Sequence, residues 1–232
     1  MKVVILSAGK STRLLPLTKD IHQSLLMVGG KTIIERQIES LAGAGVKIND
    51  IIVVTGYLSQ KLEKLCQASG IKTLFNPFYN ISGTSASLWA AKSEIEDGFI
   101  FCYSDILFDP EIIKGLLSNS SEICLAIKKD GLRTEAERVV EEEGTAKRIS
   151  KTKLEKENSE FVGIAKFSKT GAKKIMHELE NALRENIETS FIEVIDRLIK
   201  NGEIIATYDI GDSRFVDIDF SEDLTKAKEL FS

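Results

Sequence analysis

Short apolar segments that alternate with helical patterns are the feature that most restricts the fold of this chain. Strands are predicted at Lys2–Leu6, Asp50–Thr55, Ile71–Phe75, Gly98–Tyr103 and Glu122–Lys128. Helices are predicted between them at Thr32–Ala44, Leu58–Ala68, Ser85–Lys92 and Asp109–Leu117. This order predicts an α/β fold in which a mixed, mostly parallel sheet is flanked by helices on both faces.

The pattern changes in the second half of the chain. A hairpin is predicted at Arg138–Val140 and Ala146–Ser150, and the charged segment Lys151–Glu160 is predicted to be a surface loop. The remaining elements are strands at Phe161–Phe167, Ile204–Tyr208 and Phe215–Ile218, and helices at Thr170–Leu183, Thr189–Lys200 and from Ser221 to Leu230. We interpret residues 1–232 as a single domain, with residues 130–160 as an insertion.

Composition excludes several classes of function. The chain has 232 residues, 43% of them hydrophobic, which is enough for a sizeable core. Its net charge of -4 and its lack of a basic block argue against nucleic acid as a partner. Its apolar runs are too short for a membrane helix or a signal peptide. Cys66, Cys102 and Cys124 lack metal-ligand spacing, so we expect free thiols and a cytoplasmic location.

A loop of small and cationic residues follows the first strand, Ser7-Ala8-Gly9-Lys10-Ser11-Thr12-Arg13. Successive backbone N–H groups and small side chains let a phosphate approach closely, and Lys10 and Arg13 add positive charge. The segment lacks the upstream glycine of a Walker loop. Taken alone, it is equally consistent with an ordinary connection that carries solvated cations.

The longer pattern resembles a known family. Leu6–Leu14, Pro16-Leu17-Thr18 and Gly29-Gly30-Lys31 are similar to the signature of the nucleotidyltransferases that activate sugar phosphates and phospho-alcohols. The similarity continues at Val54–Tyr57, near Asp105 and at Phe215–Asp219. The resemblance implies a Rossmann-like domain that joins a nucleoside triphosphate to a phosphorylated acceptor and releases pyrophosphate. It also implies that the nucleotide contacts Leu6, Ser7, Ala8, Gly9, Lys10, Ser11, Thr12 and Arg13.

The resemblance implies a magnesium site as well. Asp105 follows a predicted strand, and alternation places Asp217 and Asp219 on one face of another. Carboxylates hold the divalent ion that bridges phosphates in such enzymes. We expect Asp105 and Asp217 to be its ligands, with Asp219 beside them. The alternatives are a turn or capping role for Asp105 and a solvated strand end for the other two.

One departure from the family pattern concerns catalysis. His22-Gln23 stands where relatives commonly carry Pro-Lys, whose lysine neutralises the α-phosphate. Gln23 can donate a hydrogen bond but carries no charge, and His22 is only partly charged near neutral pH. The catalytic candidates are therefore Arg13, Gln23 and Lys151, although Lys151 could equally be a surface lysine. We hypothesise that Gln23 lowers the rate and that Gln23→Lys raises turnover.

The segment Asn76–Trp89 looks like that of phosphocholine-type cytidylyltransferases, while Gly83-Thr84-Ser85 leans toward sugar-phosphate relatives. We expect nucleotide contacts at Asn76, Ser82, Thr84 and Ser85, unless this is merely a helix-capping loop. We expect acceptor contacts at Trp89, Tyr103, Glu160, Phe161 and Phe215. Aromatic rings there could form a cation–π cage, although each alone could be a core residue.

The favoured function is transfer of CMP from CTP to a phospho-alcohol such as phosphocholine, inositol phosphate or a phosphonate. Residues 130–160 would then lie on the acceptor side. One alternative is a sugar-1-phosphate nucleotidyltransferase that uses UTP or dTTP, and another is a nucleotide-binding module that has lost catalysis. A homodimer, and excision of this domain from a larger fusion protein, both stay open.

Overall fold

A computed structural model describes residues 1–129 and 132–231. Asp130 and Gly131, with which the predicted insertion begins, lie outside the described residues. The strands are β1 (Lys2–Ser7), β2 (Met27–Val28), β3 (Lys31–Thr32), β4 (Ile51–Thr55), β5 (Lys72–Phe75), β6 (Phe99–Tyr103), β7 (Ile106–Phe108), β8 (Ile123–Lys128), β9 (Glu137–Glu142), β10 (Thr145–Ser150), β11 (Ser159–Phe167), β12 (Ala206–Asp209) and β13 (Phe215–Asp217).

The helices are α1 (Ile33–Gly43), α2 (Ser59–Ala68), α3 (Thr84–Ala90), α4 (Pro110–Ser118), α5 (Lys169–Glu185), α6 (Phe191–Lys200) and α7 (Ser221–Phe231). Polar residues fix several of their starts. Capping boxes begin α1 through Thr32 and Glu35 and begin α6 through Ser190 and Glu193. The predicted helices and longer strands are present, with ends that differ by a few residues.

Among the described residues, nine strands form one mixed sheet in the order β5-β4-β1-β6-β11-β8-β12-β10-β9. Its first part is parallel, because β1 pairs with β4 and β6 and β4 pairs with β5. The later part is mainly antiparallel, because β11 pairs in that sense with β6, β8 and β9. The α/β fold with a mixed sheet is confirmed, and parallel pairing is concentrated near the amino-terminal strands.

The two faces of the sheet are covered by different helices. Along β1, Val4 and Leu6 join a core that includes Leu88 of α3, while α5 and α6 pack on the same side. Val3 and Ile5 point to the other face and pack with α1, α2 and α4. Apolar residues on both faces explain why β1 reads as a continuous hydrophobic run. Because helices cover both faces of the sheet, a ligand-binding site is expected at the ends of the strands.

Two short pairings were not predicted. Strands β2 and β3 form a small hairpin, and β7 pairs antiparallel with β13, so that Asp217 lies opposite Ile106. The amide of Ile218 also donates to the carbonyl oxygen of Asp105 at 2.8 Å. This pairing joins the Asp105 region to the segment of Asp217 and Asp219. The predicted loop at Lys151–Glu160 is shorter than expected, because β11 begins at Ser159.

Cys66, Cys102 and Cys124 are buried and unpaired among the described residues, as expected. Burial raises the pKa of the Cys66 and Cys124 thiols to about 11, which keeps them protonated and unreactive near neutral pH. Within the described part of the chain, no helix is both long enough and apolar enough to cross a bilayer.

Candidate active site

A cavity of about 300 Å³ opens where β1 and β6 end. In parallel α/β sheets, ligands bind at this edge. The residues that line it come from the first loop, α3, the ends of β6 and β11, the hairpin region and the segment after β13. They are Leu6, Ala8, Gly9, Ser11, Arg13, His22, Gln23, Thr84, Ser87, Tyr103, Ser104, Asp105, Arg133, Glu135, Glu137, Lys151, Phe161, Gly163, Asp217 and Asp219.

The first loop borders the cavity with part of its predicted set. Leu6, Ala8, Gly9, Ser11 and Arg13, all expected to contact the nucleotide, line it. Ser7, Lys10 and Thr12, the other residues of this predicted set, are not among those that line the cavity. The hydroxyl of Ser7 is buried against that of Ser24 at 2.7 Å, Lys10 is exposed outside the lining, and Thr12 lines a smaller adjoining cavity with Asp219.

Gln23 connects the first loop to the segment after β13. Its side chain is 5% exposed. Its Nε2 donates to the carbonyl oxygen of Ile218 at 2.7 Å, and its Oε1 accepts a hydrogen bond from the Ser11 hydroxyl. Thr18 donates to the Ser11 carbonyl oxygen at 2.9 Å. Ser11 has a left-handed backbone with φ of 49°, so these contacts hold the loop in an uncommon conformation.

His22 is buried and acts on the same loop. Its Nε2 lies 3.0 Å from the carbonyl oxygen of Ser7, and its Nδ1 accepts from the amide of Ser24 at 3.1 Å. These partners fit a neutral ring protonated at Nε2. Burial lowers the pKa of His22, although the contact with Ser7 opposes this shift. His22 therefore supplies geometry rather than charge near neutral pH.

Three carboxylates converge beside this loop. Among the described residues, Asp105, Asp217 and Asp219 each offer an oxygen within 4.8 Å of the others. Burial and the charges of Asp217 and Asp219 raise the pKa of Asp105 well above its usual range. Burial, followed by the charge of Asp217, raises the pKa of Asp219 to about 6. Such a set of oxygens suits a hard divalent cation, which would relieve the repulsion.

Two arginines partly neutralise the three carboxylates. Arg13 forms an ion pair with Asp219, and Nη1 of Arg133 lies 3.0 Å from Oδ2 of Asp217. Arg133 was missed in the sequence, since it stands in an irregular segment without a motif. Its partners come from other strands, and only the folded sheet brings them together.

Glu160 and Phe215, which were expected to contact the acceptor, hold Arg133 and are not among the residues that line the cavity. Glu160 is 1% exposed, accepts from Nε of Arg133 at 3.2 Å and from its backbone amide at 3.1 Å. The ring of Phe215 lies 5.2 Å from the guanidinium carbon. Their strands turn both side chains toward Arg133, which in turn contacts Asp217.

Another part of the cavity wall is formed by Tyr103, Phe161 and Glu137. The Tyr103 hydroxyl donates to Oε1 of Glu137 at 3.3 Å, and Nζ of Lys151 lies 4.0 Å from the same oxygen. Burial raises the pKa of Glu137 to about 7, although Lys151 opposes this. Glu137 was also missed. Strand alternation offered a signal, because Glu137 shares a face with the buried Val139.

Helix α3 presents only one side to the cavity. Thr84 and Ser87, three residues apart, line it, and Thr84 also accepts from the amide of Phe191 at 2.8 Å. Ser85 points into the core instead, where its hydroxyl has no hydrogen-bond partner among the described residues. Ser85 was expected to contact the nucleotide and Ser87 was not, because the sequence does not give the rotation of the helix about its axis.

Trp89, expected to contact the acceptor, and Asn76 and Ser82, expected to contact the nucleotide, are also not among the residues that line the cavity. The indole of Trp89 contacts Glu180 at 3.4 Å and borders a separate apolar groove. The amide of Asn76 donates to the hydroxyls of Ser82 at 3.3 Å and Ser87 at 3.0 Å. Asn76 and Ser82 therefore stabilise the turn before α3.

Comparison with known proteins agrees with this geometry. The sequence model of the MobA-like NTP transferase domain matches residues 3–184. A choline-phosphate cytidylyltransferase from Streptococcus pneumoniae is 37% identical over 108 residues, which cover 47% of this chain and 46% of that protein. A CTP:phosphoglutamine cytidylyltransferase from Campylobacter jejuni is 25% identical over 253 aligned positions, covering 97% of this chain and 98% of the relative.

The fold also matches a solved structure. The inositol-1-phosphate CTP transferase from T. maritima superposes with a TM-score of 0.84 at 22% identity, covering 98% of this chain and 96% of the other. At this identity the likeness concerns the fold alone.

Proposed function

Because the chain belongs to the MobA-like NTP transferase domain family, we propose that it transfers a cytidylyl group from CTP to a small phosphorylated alcohol or phosphonate. Pyrophosphate is the second product. The observation that carries the proposal is the convergence of Asp105, Asp217 and Asp219 beside the loop Ala8–Arg13 in one cavity. The similarity to two cytidylyltransferases supports CTP as the donor.

The first loop is proposed to bind the triphosphate. Gly9 leaves open space, since a Cβ there would meet no described atom within 4 Å. Backbone amides and small side chains at Ala8 and Gly9 let phosphate oxygens approach. Arg13 is half exposed and can extend toward those oxygens from its ion pair with Asp219. The loop thus supplies donors where the triphosphate carries its charge.

Asp105, Asp217 and Asp219 are proposed to hold Mg²⁺. Their oxygens are of the type this ion prefers, and their mutual repulsion favours a divalent cation. When bound, Mg²⁺ neutralises charge on the phosphates. Arg133 orients Asp217 through its contact at 3.0 Å, and the buried Glu160 fixes Arg133 in turn.

The reaction requires no nucleophile from the protein. An oxygen of the acceptor phosphate attacks the α-phosphorus, the bond from that phosphorus to the bridging oxygen of the β-phosphate breaks, and pyrophosphate leaves. Because both reactants are anions, positioning and charge neutralisation are the main contributions of the protein. Lys151, 61% exposed at the cavity, can reach these phosphates.

Pyrophosphate release tests the proposal. The enzyme is incubated with Mg²⁺ and each of CTP, UTP, dTTP, GTP and ATP, against phosphocholine, inositol-1-phosphate, 2-aminoethylphosphonate and glucose-1-phosphate. Release that depends on CTP and on an acceptor other than glucose-1-phosphate is expected. Release with UTP or dTTP and glucose-1-phosphate would contradict it in favour of a sugar nucleotidyltransferase. Nucleotide binding without any release would indicate a module that has lost catalysis.

A further inference from the structure

We propose that the part of the cavity wall formed by Tyr103, Phe161 and Glu137 binds a primary ammonium group, so that the acceptor is an aminoalkyl phosphate or phosphonate. This inference rests on the proposed function and names its acceptor class. It is carried by Glu137, whose carboxylate borders the cavity between Tyr103 and Lys151. The remaining acceptor classes of the proposed function carry hydroxyl groups or a quaternary nitrogen at this place.

The carboxylate of Glu137 is under-satisfied. Its side chain is 17% exposed, and its Oε1 accepts one hydrogen bond, from the Tyr103 hydroxyl at 3.3 Å. Its Oε2 is buried and has no hydrogen-bond partner among the described residues. Rotation about the last side-chain bond of a glutamate is easy, so either oxygen can turn to a ligand. A buried carboxylate oxygen without a donor is costly, and a ligand N–H removes that cost.

Charge favours an ammonium over a hydroxyl at this position. Asp217 and Asp219 act on Glu137 with the same sign, and Lys151 is the cation beside it. If Lys151 turns to the phosphates, as the proposed function allows, Glu137 loses that cation. A hydroxyl group on the acceptor substrate would donate a hydrogen bond to one oxygen of Glu137 but would leave the buried negative charge of Glu137 unpaired. An ammonium group donates hydrogen bonds and also neutralises that charge.

The walls beside Glu137 suit a small cation. Tyr103 and Phe161 line the cavity, and their ring centroids are 6.2 Å apart at an angle of 70°. Aromatic faces attract an alkylammonium group. Gly163 keeps this wall in place, because its φ is +81° and a Cβ there would lie 2.8 Å from the Tyr103 ring. A quaternary ammonium would gain the ring contacts but has no N–H for Glu137.

Three acceptors of similar length separate these contributions. With CTP and Mg²⁺, kcat/KM is measured for phosphoethanolamine, phosphocholine and 2-hydroxyethyl phosphate. We expect phosphoethanolamine to exceed 2-hydroxyethyl phosphate by about tenfold to a hundredfold, the value of a charged hydrogen bond, with phosphocholine between them. Equal or better use of the hydroxyl acceptor overturns the inference and leaves the proposed function standing. Absence of pyrophosphate release with all three acceptors, while inositol-1-phosphate is used, also overturns the inference and leaves the proposed function standing. Absence of release with every acceptor of both experiments overturns both.

The variant Glu137→Gln tests the residue itself. The amide is nearly isosteric but uncharged, so the ratio of phosphoethanolamine to 2-hydroxyethyl phosphate should fall toward one. Glu142→Gln, an exposed carboxylate at the end of the same strand, is the matched control and should keep the wild-type ratio. Thermal denaturation checks that both variants fold. A folded Glu137→Gln enzyme with the full wild-type preference for phosphoethanolamine overturns the assignment of the ammonium site to Glu137. If the variant does not fold, the comparison of acceptors on the wild type still tests the inference.

Discussion

At the scale of single residues, Gln23 joins two parts of the site that are distant in the sequence. Its side-chain amide donates a hydrogen bond to the carbonyl oxygen of Ile218 and accepts one from the hydroxyl of Ser11. These two contacts require a donor and an acceptor on the same side chain. A lysine has donors only and cannot replace both contacts. The hypothesis drawn from the sequence was that Gln23→Lys raises turnover. The geometry favours the opposite result.

We predict that Gln23→Lys lowers kcat/KM for CTP by about tenfold, which corresponds to the loss of one buried hydrogen bond. The reason is that Ser11 loses its acceptor and the loop relaxes from its left-handed conformation. Steady-state kinetics and thermal denaturation are measured beside Gln67→Lys, the same change at an exposed position on α2. Higher turnover in Gln23→Lys would restore the hypothesis of a missing catalytic cation.

At the scale of elements, the start of α3 is fixed by close backbone contact. Gly83 precedes this helix, and a Cβ there would lie 2.3 Å from the carbonyl oxygens of Glu188 and Thr189. The approach joins α3 to the segment before α6. It also sets which side of α3 faces the cavity, and so places Thr84 and Ser87 in its wall.

Gly83→Ala should therefore lower the free energy of unfolding by about 1–3 kcal/mol, as overpacking does. The matched variant is Gly9→Ala, where an added Cβ meets no described atom within 4 Å. We expect Gly9→Ala to keep its stability but to bind CTP more weakly, because the methyl group occupies space proposed for phosphate. Chemical denaturation and calorimetric titration with CTP measure both effects. Equal stability of the two variants would contradict this account.

Long periodic elements could be predicted from the sequence, and short pairings could not. Helix α5 has 17 residues, enough for its apolar period to be read directly. Strand β13 was predicted, but β7 has three residues, too few for a pattern, and the pairing of the two, which sets Asp217 opposite Ile106 beside Asp105, was missed. Asp105, Asp217 and Asp219, the proposed metal ligands, were predicted through a family motif. Arg133 and Glu137 lie outside any motif, and they enter the cavity only because the hairpin and β11 fold beside β6.

At the scale of the whole molecule, the carboxylate cluster links stability to pH and to metal. The pKa values of Asp105, Asp217, Asp219 and Glu137 are all raised in the folded state, with burial as the first cause. In the folded protein, these four carboxyl groups therefore bind more protons than they do in the unfolded chain above a pH of about 4. Its stability should fall as the pH rises through the pKa of Asp219, about 6, and of Glu137, about 7.

We predict that the metal-free protein has a lower Tm at about pH 7.5 than at about pH 5.5, because raised carboxyl pKa values favour the protonated folded state. Mg²⁺ should raise Tm at the higher pH and have less effect at the lower pH, where protons compete with it. Asp219→Asn should reduce both the pH dependence and the response to Mg²⁺. A Tm that rises with pH in the metal-free protein, with no response to Mg²⁺, would count against this cluster as a cation site.

The central claim is that this cavity catalyses cytidylyl transfer, and phosphorus NMR of one reaction tests it most directly. CTP, Mg²⁺ and phosphoethanolamine are incubated with the wild type and with Asp217→Asn, and both products are followed together. The account predicts pyrophosphate and a new phosphoanhydride that joins CMP to the acceptor phosphate in equal amounts, with neither formed by Asp217→Asn. Equal rates in both proteins, or pyrophosphate without the acceptor product, would contradict it.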